Sequence, residues 1–91
     1  MLLTTANSAV INANPDAPDD FGEFEVLFSG SNPAFYPHGL RISKYIYDYE
    51  APLAGNRDVG DLIPSITGVL VFAHGNNKLA PRSSDDIVLP P

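Results

Sequence analysis

Several carboxylates of this sequence are clustered, and one cluster lies near its start. Asp16, Asp19 and Asp20 fall within a single short segment. Closely spaced carboxylates are a partial ligand set for Ca²⁺, which binds through several oxygen atoms. Two further pairs have the same chemistry, namely Asp58 with Asp61 and Asp85 with Asp86. None follows the D-x-[DN]-x-[DN]-G spacing of an EF-hand loop, so we interpret all of them as solvated acidic loops.

The two histidines, His38 and His74, are the other candidates for metal binding, because imidazole is a common ligand of zinc and iron. They do not follow the H-x-H or H-x-x-x-H spacing of metal-binding pairs. The sequence also contains no cysteine that would complete a thiolate site. We therefore predict no metal site and no other cofactor, and interpret each histidine as hydrogen-bonding its own loop.

Glu23 and Glu25 lie two residues apart in a segment where they alternate with apolar residues. Two carboxylates in an enclosed cleft are the catalytic arrangement of many glycoside hydrolases. The same alternation is typical of a β-strand with one face in solvent. We take the second interpretation, which places both glutamates on a solvated strand face.

The string GVLVFAHG at residues 68–75, followed by Pro81 and Arg82, resembles the strand and His-Gly oxyanion loop of dienelactone-hydrolase-like α/β-hydrolases. This resemblance implies a loop whose backbone N–H groups stabilise an oxyanion. The G-x-S-x-G nucleophile motif of such enzymes is absent from the sequence, and 91 residues are too few for a doubly wound sheet. We assign no catalytic residue and expect a protein that is not an enzyme, with a hydrolase-like fragment as the remote alternative.

Tyrosines supply the strongest indication of an interaction surface. Tyr45, Tyr47 and Tyr49 are spaced two residues apart, which predicts one aromatic strand face. Tyrosine is enriched at protein interfaces, where its ring is buried and its hydroxyl finds a partner. Packing of this face on the protein's own core is the equally weighted alternative. The predicted interaction residues are Val10, Ile11, Phe35, Tyr36, Tyr45, Tyr47 and Tyr49.

The elements that must position these residues are short strands joined by loops that are rich in Pro and Gly. Alternating or apolar runs predict strands at 21–28, 40–49, 66–74 and 86–89, and residues 9–11 are a possible further strand. Residues 78–84 are predicted to be loop, and Val59, Leu62 and Ile63 to point inward. A helix is the alternative for 40–49, since Leu40, Lys44 and Tyr47 also follow helical spacing, but no window of 11 or more residues has clean helical periodicity. We predict an all-β fold, a small barrel or sandwich of four to five short strands, with an extended N-terminal arm at 1–20 and one β domain at 21–91.

The composition limits the partners. The sequence contains five Lys and Arg residues and eleven Asp and Glu residues, and residues 1–39 contain no Lys or Arg. Nucleic acids and anionic membranes are bound by clustered cations, so we expect neither as a partner. No secretory signal peptide is evident at the start of the sequence. We therefore expect the virion or the host cytoplasm as its location.

These observations favour a non-enzymatic structural or interaction protein. The leading hypothesis, based on architecture, is a small virion component such as a capsid decoration (cement) or head–tail protein. It would bind as a homo-oligomer or within a larger protein assembly, through a β body and extended termini. The alternative is an acidic inhibitor protein that binds a basic host surface.

Overall fold

The structure is a computed structural model and describes residues 1–28, 39–73 and 75–90. Within these ranges the chain forms six β-strands and one short 3₁₀ turn, with no α-helix. The elements are β1 (Leu2–Asn12), β2 (Phe24–Leu27), β3 (Leu40–Ile42), β4 (Leu62–Ala73), β5 (Asn76–Ala80), the 3₁₀ turn (Ser84–Asp86) and β6 (Ile87–Val88). The predicted all-β class is confirmed, and the architecture is a barrel.

Five strands close into a barrel in the order β1-β2-β3-β5-β4, with β4 pairing back onto β1. All of these pairings are antiparallel except that between β3 and β5. Strands β1, β2 and β3 follow one another, and β4 returns beside β1, which is the Greek-key order. Strand β6 adds to β4 outside the closed barrel. Closure leaves the five barrel strands with neighbours on both sides, so the barrel itself has no free edge.

The structure differs from the sequence-based division at the N-terminus. Residues 2–12 are not an arm outside the domain, because they form the barrel strand β1, which pairs with β2 and β4. Two of its inward residues are polar, and this hides the strand from a hydrophobicity pattern. The hydroxyl groups of Thr5 and Ser8 lie 2.6 Å apart and satisfy each other inside the barrel.

Strands β1 and β4 bend together at one point. Asn7 has a φ of 52°, in the left-handed region, and lies opposite Pro64, which has no N–H to donate. Pairing continues on both sides of this point without a change of register. The inward face of β1 therefore moves from Thr5 to Ser8, and both strands turn the same corner of the barrel.

Apart from Thr5 and Ser8, the barrel interior is mainly apolar. The buried residues of its hydrophobic cluster are Val10, Phe24, Val26, Leu40, Ile42, Tyr49, Leu53, Ile63, Ile66 and Leu79. The predicted inward face of the strand at 21–28 is confirmed for Phe24 and Val26. The predicted strand at 66–74 is confirmed by β4, which begins earlier, at Leu62.

Three sequence-based predictions of local structure were wrong. The strand predicted at 40–49 ends at Ile42. The Ser43 N–H still bonds to the Leu79 carbonyl, but the chain then leaves the sheet. Residues 76–80, within a segment expected to be a turn and a loop, form β5. Val59 and Leu62 were expected to point inward but are exposed, and only Ile63 of that group is in the core.

Candidate interaction cleft

A cleft of about 830 Å³ lies on the outer surface of β3 and β5. The loop between β1 and β2, residues 13–23, bounds it on one side. This β1–β2 loop contributes Asp16, Asp20, Phe21 and Glu23. Strand β3 and the segment after it contribute Arg41, Ser43, Lys44 and Tyr45, and β5 contributes Asn76 and Lys78.

The strand register explains why charged residues meet at the floor of this cleft. Arg41 on β3 lies beside Glu25 on β2 and beside Lys78 on β5. Their sequence neighbours Ile42 and Leu79 pair in the same strands but point into the barrel. Because successive side chains of a strand alternate between faces, the charges stand outside the barrel directly behind the apolar core.

Four of these groups form a continuous chain of ion pairs, which we call the ion-pair layer: Asp16, Arg41, Glu23 and Lys78. The Arg41 Nη1 atom lies 2.8 Å from Asp16 Oδ1 and 3.2 Å from Glu23 Oε1. The other Glu23 oxygen, Oε2, accepts from Lys78 Nζ at 2.8 Å. Glu23 and Lys78 are only 5% and 3% exposed. Each of these buried charges is therefore neutralised by a direct partner.

Burial and pairing act on Arg41 in opposite directions. Burial lowers the pKa of its guanidinium, but the hydrogen bonds and charges of Asp16 and Glu23 outweigh burial and raise that pKa above its usual value. Arg41 stays charged at every accessible pH and holds the β1–β2 loop against β3. The second oxygen of Asp16, Oδ2, is buried and has no hydrogen-bond partner among the described residues.

Side-chain-to-backbone hydrogen bonds shape the β1–β2 loop. The Asn14 N–H donates to Asn12 Oδ1 at 3.0 Å, and the Asp16 N–H donates to Asn14 Oδ1 at 3.2 Å. The Gly22 N–H donates to Asp20 Oδ1 at 2.9 Å. Such bonds between residues two apart define local turns without a sheet or helix. They direct the loop back across the outer face of the barrel.

Gly22 anchors the end of this loop. Its φ of 76° is in the left-handed region, and a Cβ atom there would lie 2.5 Å from a Glu50 oxygen. Its carbonyl oxygen accepts from Arg57 Nη1 at 3.0 Å. The Tyr49 hydroxyl lies 2.8 Å from the same carbonyl and 2.9 Å from that of Ile42, so one hydrogen is shared between two acceptors. Burial raises the pKa of Tyr49, which keeps this donor protonated.

The remaining cation of the cleft, Lys44, pairs with Glu50 beside Gly22. This hydrogen bond raises the pKa of Lys44, and partial burial opposes the change. Arg41, Lys44 and Lys78 are thus all paired with carboxylates. Three carboxylates that line the cleft (Asp16, Asp20 and Glu23) balance these three cations, so the lining carries no net charge.

Two aromatic rings stand at the rim. Phe21 is 61% exposed and Tyr45 is 55% exposed, although both line the cleft. The ammonium group of Lys78 lies 5.3 Å from the centroid of the Tyr45 ring, which is a cation–π distance. The exposed rings and the charged floor together form an amphipathic surface that the described residues leave uncovered.

The three tyrosines predicted to share a strand face do not do so. Tyr45 is on the rim of the cleft, Tyr47 is partly buried against the core, and Tyr49 is fully buried. The prediction was wrong because the strand ends at Ile42 and the chain then bends. The Tyr49 ring instead meets Phe24 edge-on, with centroids 5.5 Å apart.

The other predicted interaction residues are distributed as follows. Val10 is buried in the core, and its neighbour Ile11 is 37% exposed on the outer side of β1. Phe35, Tyr36, His38 and His74 lie outside the described residues.

Sequence reasoning did not identify the ion-pair layer. The interpretation of Glu23 and Glu25 as solvated was wrong, because they are only 5% and 7% exposed. The alternation placed them correctly on the outer face of β2 but gave no sign that a loop covers that face. Glu23 and Lys78 are 55 residues apart in sequence, and no local pattern connects them.

Comparison with protein-family models, with curated proteins and with solved structures found no match for this chain. Within residues 1–28, 39–73 and 75–90, no helix is long and apolar enough to cross a membrane. The same residues contain no group of three or more His, Cys, Asp or Glu side chains placed to hold a metal ion. Fold and site together define a small five-stranded Greek-key barrel with a charged, aromatic-rimmed cleft on its outer face.

Proposed function

We propose that this chain is a non-enzymatic interaction protein that binds a protein partner in the outer cleft. The observation that carries the proposal is the pair of exposed rings, Phe21 and Tyr45, beside a floor whose charges are already paired. Aromatic side chains that are anchored at one end and exposed at the other are typical of binding surfaces.

The position of the cleft in the fold supports binding. Five-stranded Greek-key barrels of the OB type bind oligonucleotides and oligosaccharides on the face of strands two and three and with the loops between strands one and two and between strands four and five. Here the cleft lies between the β1–β2 loop and Asn76, the first residue of β5, beside Arg41 of β3. This likeness is one of architecture, and the argument for function comes from the side chains of the cleft.

The state of the charges favours binding over catalysis. Glu23 accepts from both Arg41 and Lys78, so its two oxygens are held by permanent partners. A general acid or base must exchange its proton with a substrate, and a carboxylate fixed between two cations is poorly suited to that role. The ion-pair layer instead provides a rigid floor.

The same pairing favours a protein over a nucleic acid. Phosphate binding requires cations that are free to replace counterions. The three cations of the cleft are each bound to a carboxylate within the chain. The charges that line the cleft balance, so the cleft has no positive surplus that would attract phosphate.

Two settings are compatible with this activity. The first is a virion component, such as a decoration or head–tail protein, whose cleft receives a segment of the shell on which it sits. The second is an acidic inhibitor of a basic host surface, and the exposure of Asp19 and Asp20 on the β1–β2 loop favours this candidate specifically.

The test compares two variants in capture experiments from the native host or virion extract. The double variant Phe21→Ser with Tyr45→Ser removes both rim aromatics. Phe72→Ser is the matched control, because Phe72 is 72% exposed and does not line the cleft. All three proteins should retain the same thermal unfolding midpoint, since exposed side chains contribute little to stability.

A partner that is retained by the wild type and by the Phe72 variant, but not by the cleft variant, is the expected result. Salt titration of the captured complex then separates the two settings, because binding to a basic surface weakens with ionic strength. Equal retention by all three proteins would place binding elsewhere on the molecule and overturn the proposal.

A further inference from the structure

The cleft lining favours a ligand without net charge. Its three cations are equal in number to its three carboxylates, and each cation is paired with a carboxylate of the same chain. A charged group that enters such a site gives up part of its hydration and meets no excess of the opposite charge. A neutral ligand does not incur that cost.

The cleft nevertheless offers polar groups of every kind to a ligand. Glu23 and Lys78 are buried, but Asp20 is exposed, and Lys44 and Asn76 are partly exposed. A carboxylate accepts hydrogen bonds, an ammonium group donates them and an amide does both. A hydroxyl group also does both, so a ligand with several hydroxyl groups can bond to all three side chains. An apolar ligand would remove water from these groups and give nothing in return.

The rim supplies the second half of the chemistry. Phe21 and Tyr45 present exposed rings beside these polar groups. The face of an aromatic ring is partly negative and attracts weakly positive C–H groups. A sugar ring has C–H groups on its faces and hydroxyl groups around its edge. It can therefore stack on a rim aromatic while its hydroxyl groups reach the polar lining.

The size and place of the cleft agree with this chemistry. Its volume of about 830 Å³ is within the range of small-molecule sites, about 300–1,000 Å³. Oligonucleotides and oligosaccharides are the ligands that OB-type barrels bind on the corresponding face. The paired cations disfavour the first class, because phosphate binding needs cations that can replace counterions.

We propose that the cleft binds a neutral saccharide that is carried by the protein partner. Its sugar rings stack on Phe21 and Tyr45, and its hydroxyl groups bond to Asp20, Lys44 and Asn76. This inference rests on the proposed function, because it names the part of the partner that the cleft contacts.

The first experiment follows the amide NMR spectrum of the full chain during titration with trisaccharides. The neutral probes are maltotriose, cellotriose and triacetylchitotriose, and the charged probes are chitotriose, which is cationic, and trigalacturonic acid, which is anionic. We expect at least one neutral trisaccharide to shift the signals of residues 20–23 and 43–45 with a millimolar Kd. Both charged probes should bind more weakly than that trisaccharide.

Variants of the rim test the stacking. Phe21→Ala and Tyr45→Ala should each lose about fivefold in affinity for the bound trisaccharide, because one aromatic contact is removed. Phe21→Trp keeps an aromatic face and should retain binding. Phe72→Ala is the matched control, since Phe72 is exposed and does not line the cleft, and its affinity should be unchanged. All four substitutions are at exposed positions, so the signals of core residues should stay in place.

Several results would overturn the inference. They are the absence of shifts with all three neutral trisaccharides at about 10 mM, which excludes a millimolar Kd, tighter binding of either charged probe, shifts confined to residues outside the cleft, and an equal loss of affinity in Phe72→Ala and Phe21→Ala.

The second experiment separates this inference from the proposed function. The extract used for capture is first treated with periodate under mild conditions, which cleaves the vicinal diols of sugars and leaves the polypeptide intact. We expect the wild type to lose its captured partner after this treatment. If the partner is still captured but the Phe21→Ser, Tyr45→Ser variant fails to retain it, the cleft binds polypeptide, and only the saccharide inference is overturned. If a trisaccharide binds the cleft but capture of every protein is independent of it, the proposed function fails instead.

Discussion

The interior of the barrel and the floor of the cleft are two buried layers on opposite faces of the same strands. Ile42 and Leu79 point into the interior, while their neighbours Arg41 and Lys78 belong to the ion-pair layer. The interior contains mainly apolar contacts, with a few buried hydroxyl groups, whereas the floor of the cleft contains paired charges.

Apolar contacts and ion pairs differ in how much of the structure they can position. Apolar packing is nondirectional, so the interior stabilises the barrel without fixing where a loop must lie. Ion pairs need particular partners at particular distances, and Asp16 brings the β1–β2 loop to a single place through Arg41. We expect the interior to account for stability and the ion-pair layer for the shape of the cleft.

The largest expected effect comes from the interior. Phe24→Ala removes a fully buried ring that meets Tyr49 edge-on, and should lower the free energy of unfolding by about 3–5 kcal/mol. Urea denaturation followed by circular dichroism measures the loss. Phe72→Ala, at an exposed ring, should change stability by less than about 0.5 kcal/mol. If Phe24→Ala is not folded, Phe24→Leu replaces it and should cost about 1 kcal/mol.

The next effect comes from the ion-pair layer. Lys78→Met leaves Glu23 buried with only Arg41 as a partner and should cost about 3 kcal/mol in the same urea experiment. The double variant Glu23→Leu with Lys78→Met removes both charges and should be more stable than Lys78→Met alone. A double variant less stable than the single one would contradict the view that uncompensated charge is the cause.

A smaller effect is expected where the two layers are joined. Tyr49→Phe keeps the ring in the core but removes the hydroxyl that contacts the carbonyls of Gly22 and Ile42. The loss should be about 1 kcal/mol, because one buried hydrogen bond disappears while Arg57 still reaches Gly22. Tyr45→Phe is the control, and its exposed hydroxyl should contribute almost nothing. A loss equal to that of Phe24→Ala would mean that the loop and the core unfold as one unit.

The last effect comes from the ion pair between the exposed Arg82 and the buried Asp86, and it appears as a dependence on pH. Arg82 donates to both oxygens of Asp86 at 2.8 and 2.9 Å, and this pairing lowers the pKa of Asp86 to about 2, against partial opposition from burial. The unfolded carboxyl has an ordinary pKa of 3.8. The stabilisation is therefore complete above about pH 4 and is lost as the pH falls through about 2.

Asp86→Asn should flatten this part of the stability profile between pH 2 and pH 4. Thermal unfolding at a series of pH values measures it, with Asp85→Asn as the neighbouring control. An Asp86→Asn profile that still falls as steeply as the wild type would assign the acid sensitivity to other carboxylates.

The sequence predicted the strands whose inward residues are apolar. Strand β2 was predicted from Phe24 and Val26, β3 from Leu40 and Ile42, and β4 from its long apolar run. The short strand β6 also falls within its predicted segment. The sequence predicted only residues 9–11 of β1 as a possible strand and took residues 76–80, which form β5, as turn and loop. Thr5 and Ser8 satisfy each other across β1, and Lys78 on β5 depends on a glutamate that is distant in sequence.

The candidate site could be predicted only in fragments. Tyr45 was selected from an aromatic spacing that does not form a strand face, and Glu23 was interpreted as solvated, so neither pattern indicated the cleft. Phe21 stands one residue before the glycine that ends the loop, and nothing local marks it as a rim residue. A cleft assembled from three separated segments is determined by strand order, which a local pattern does not contain.

Closure of the barrel by β1 also governs how the chain must fold. Leu2 pairs with Val69, and the Met1 carbonyl accepts from the Leu70 N–H, so the first strand finds its main partner almost at the other end of the chain. Loops of this length close slowly, and proteins dominated by such distant contacts fold in milliseconds to seconds. During synthesis, β1 cannot pair with β4 until β4 has left the ribosome. Until then, the backbone groups of β1 are available to any other unpaired strand.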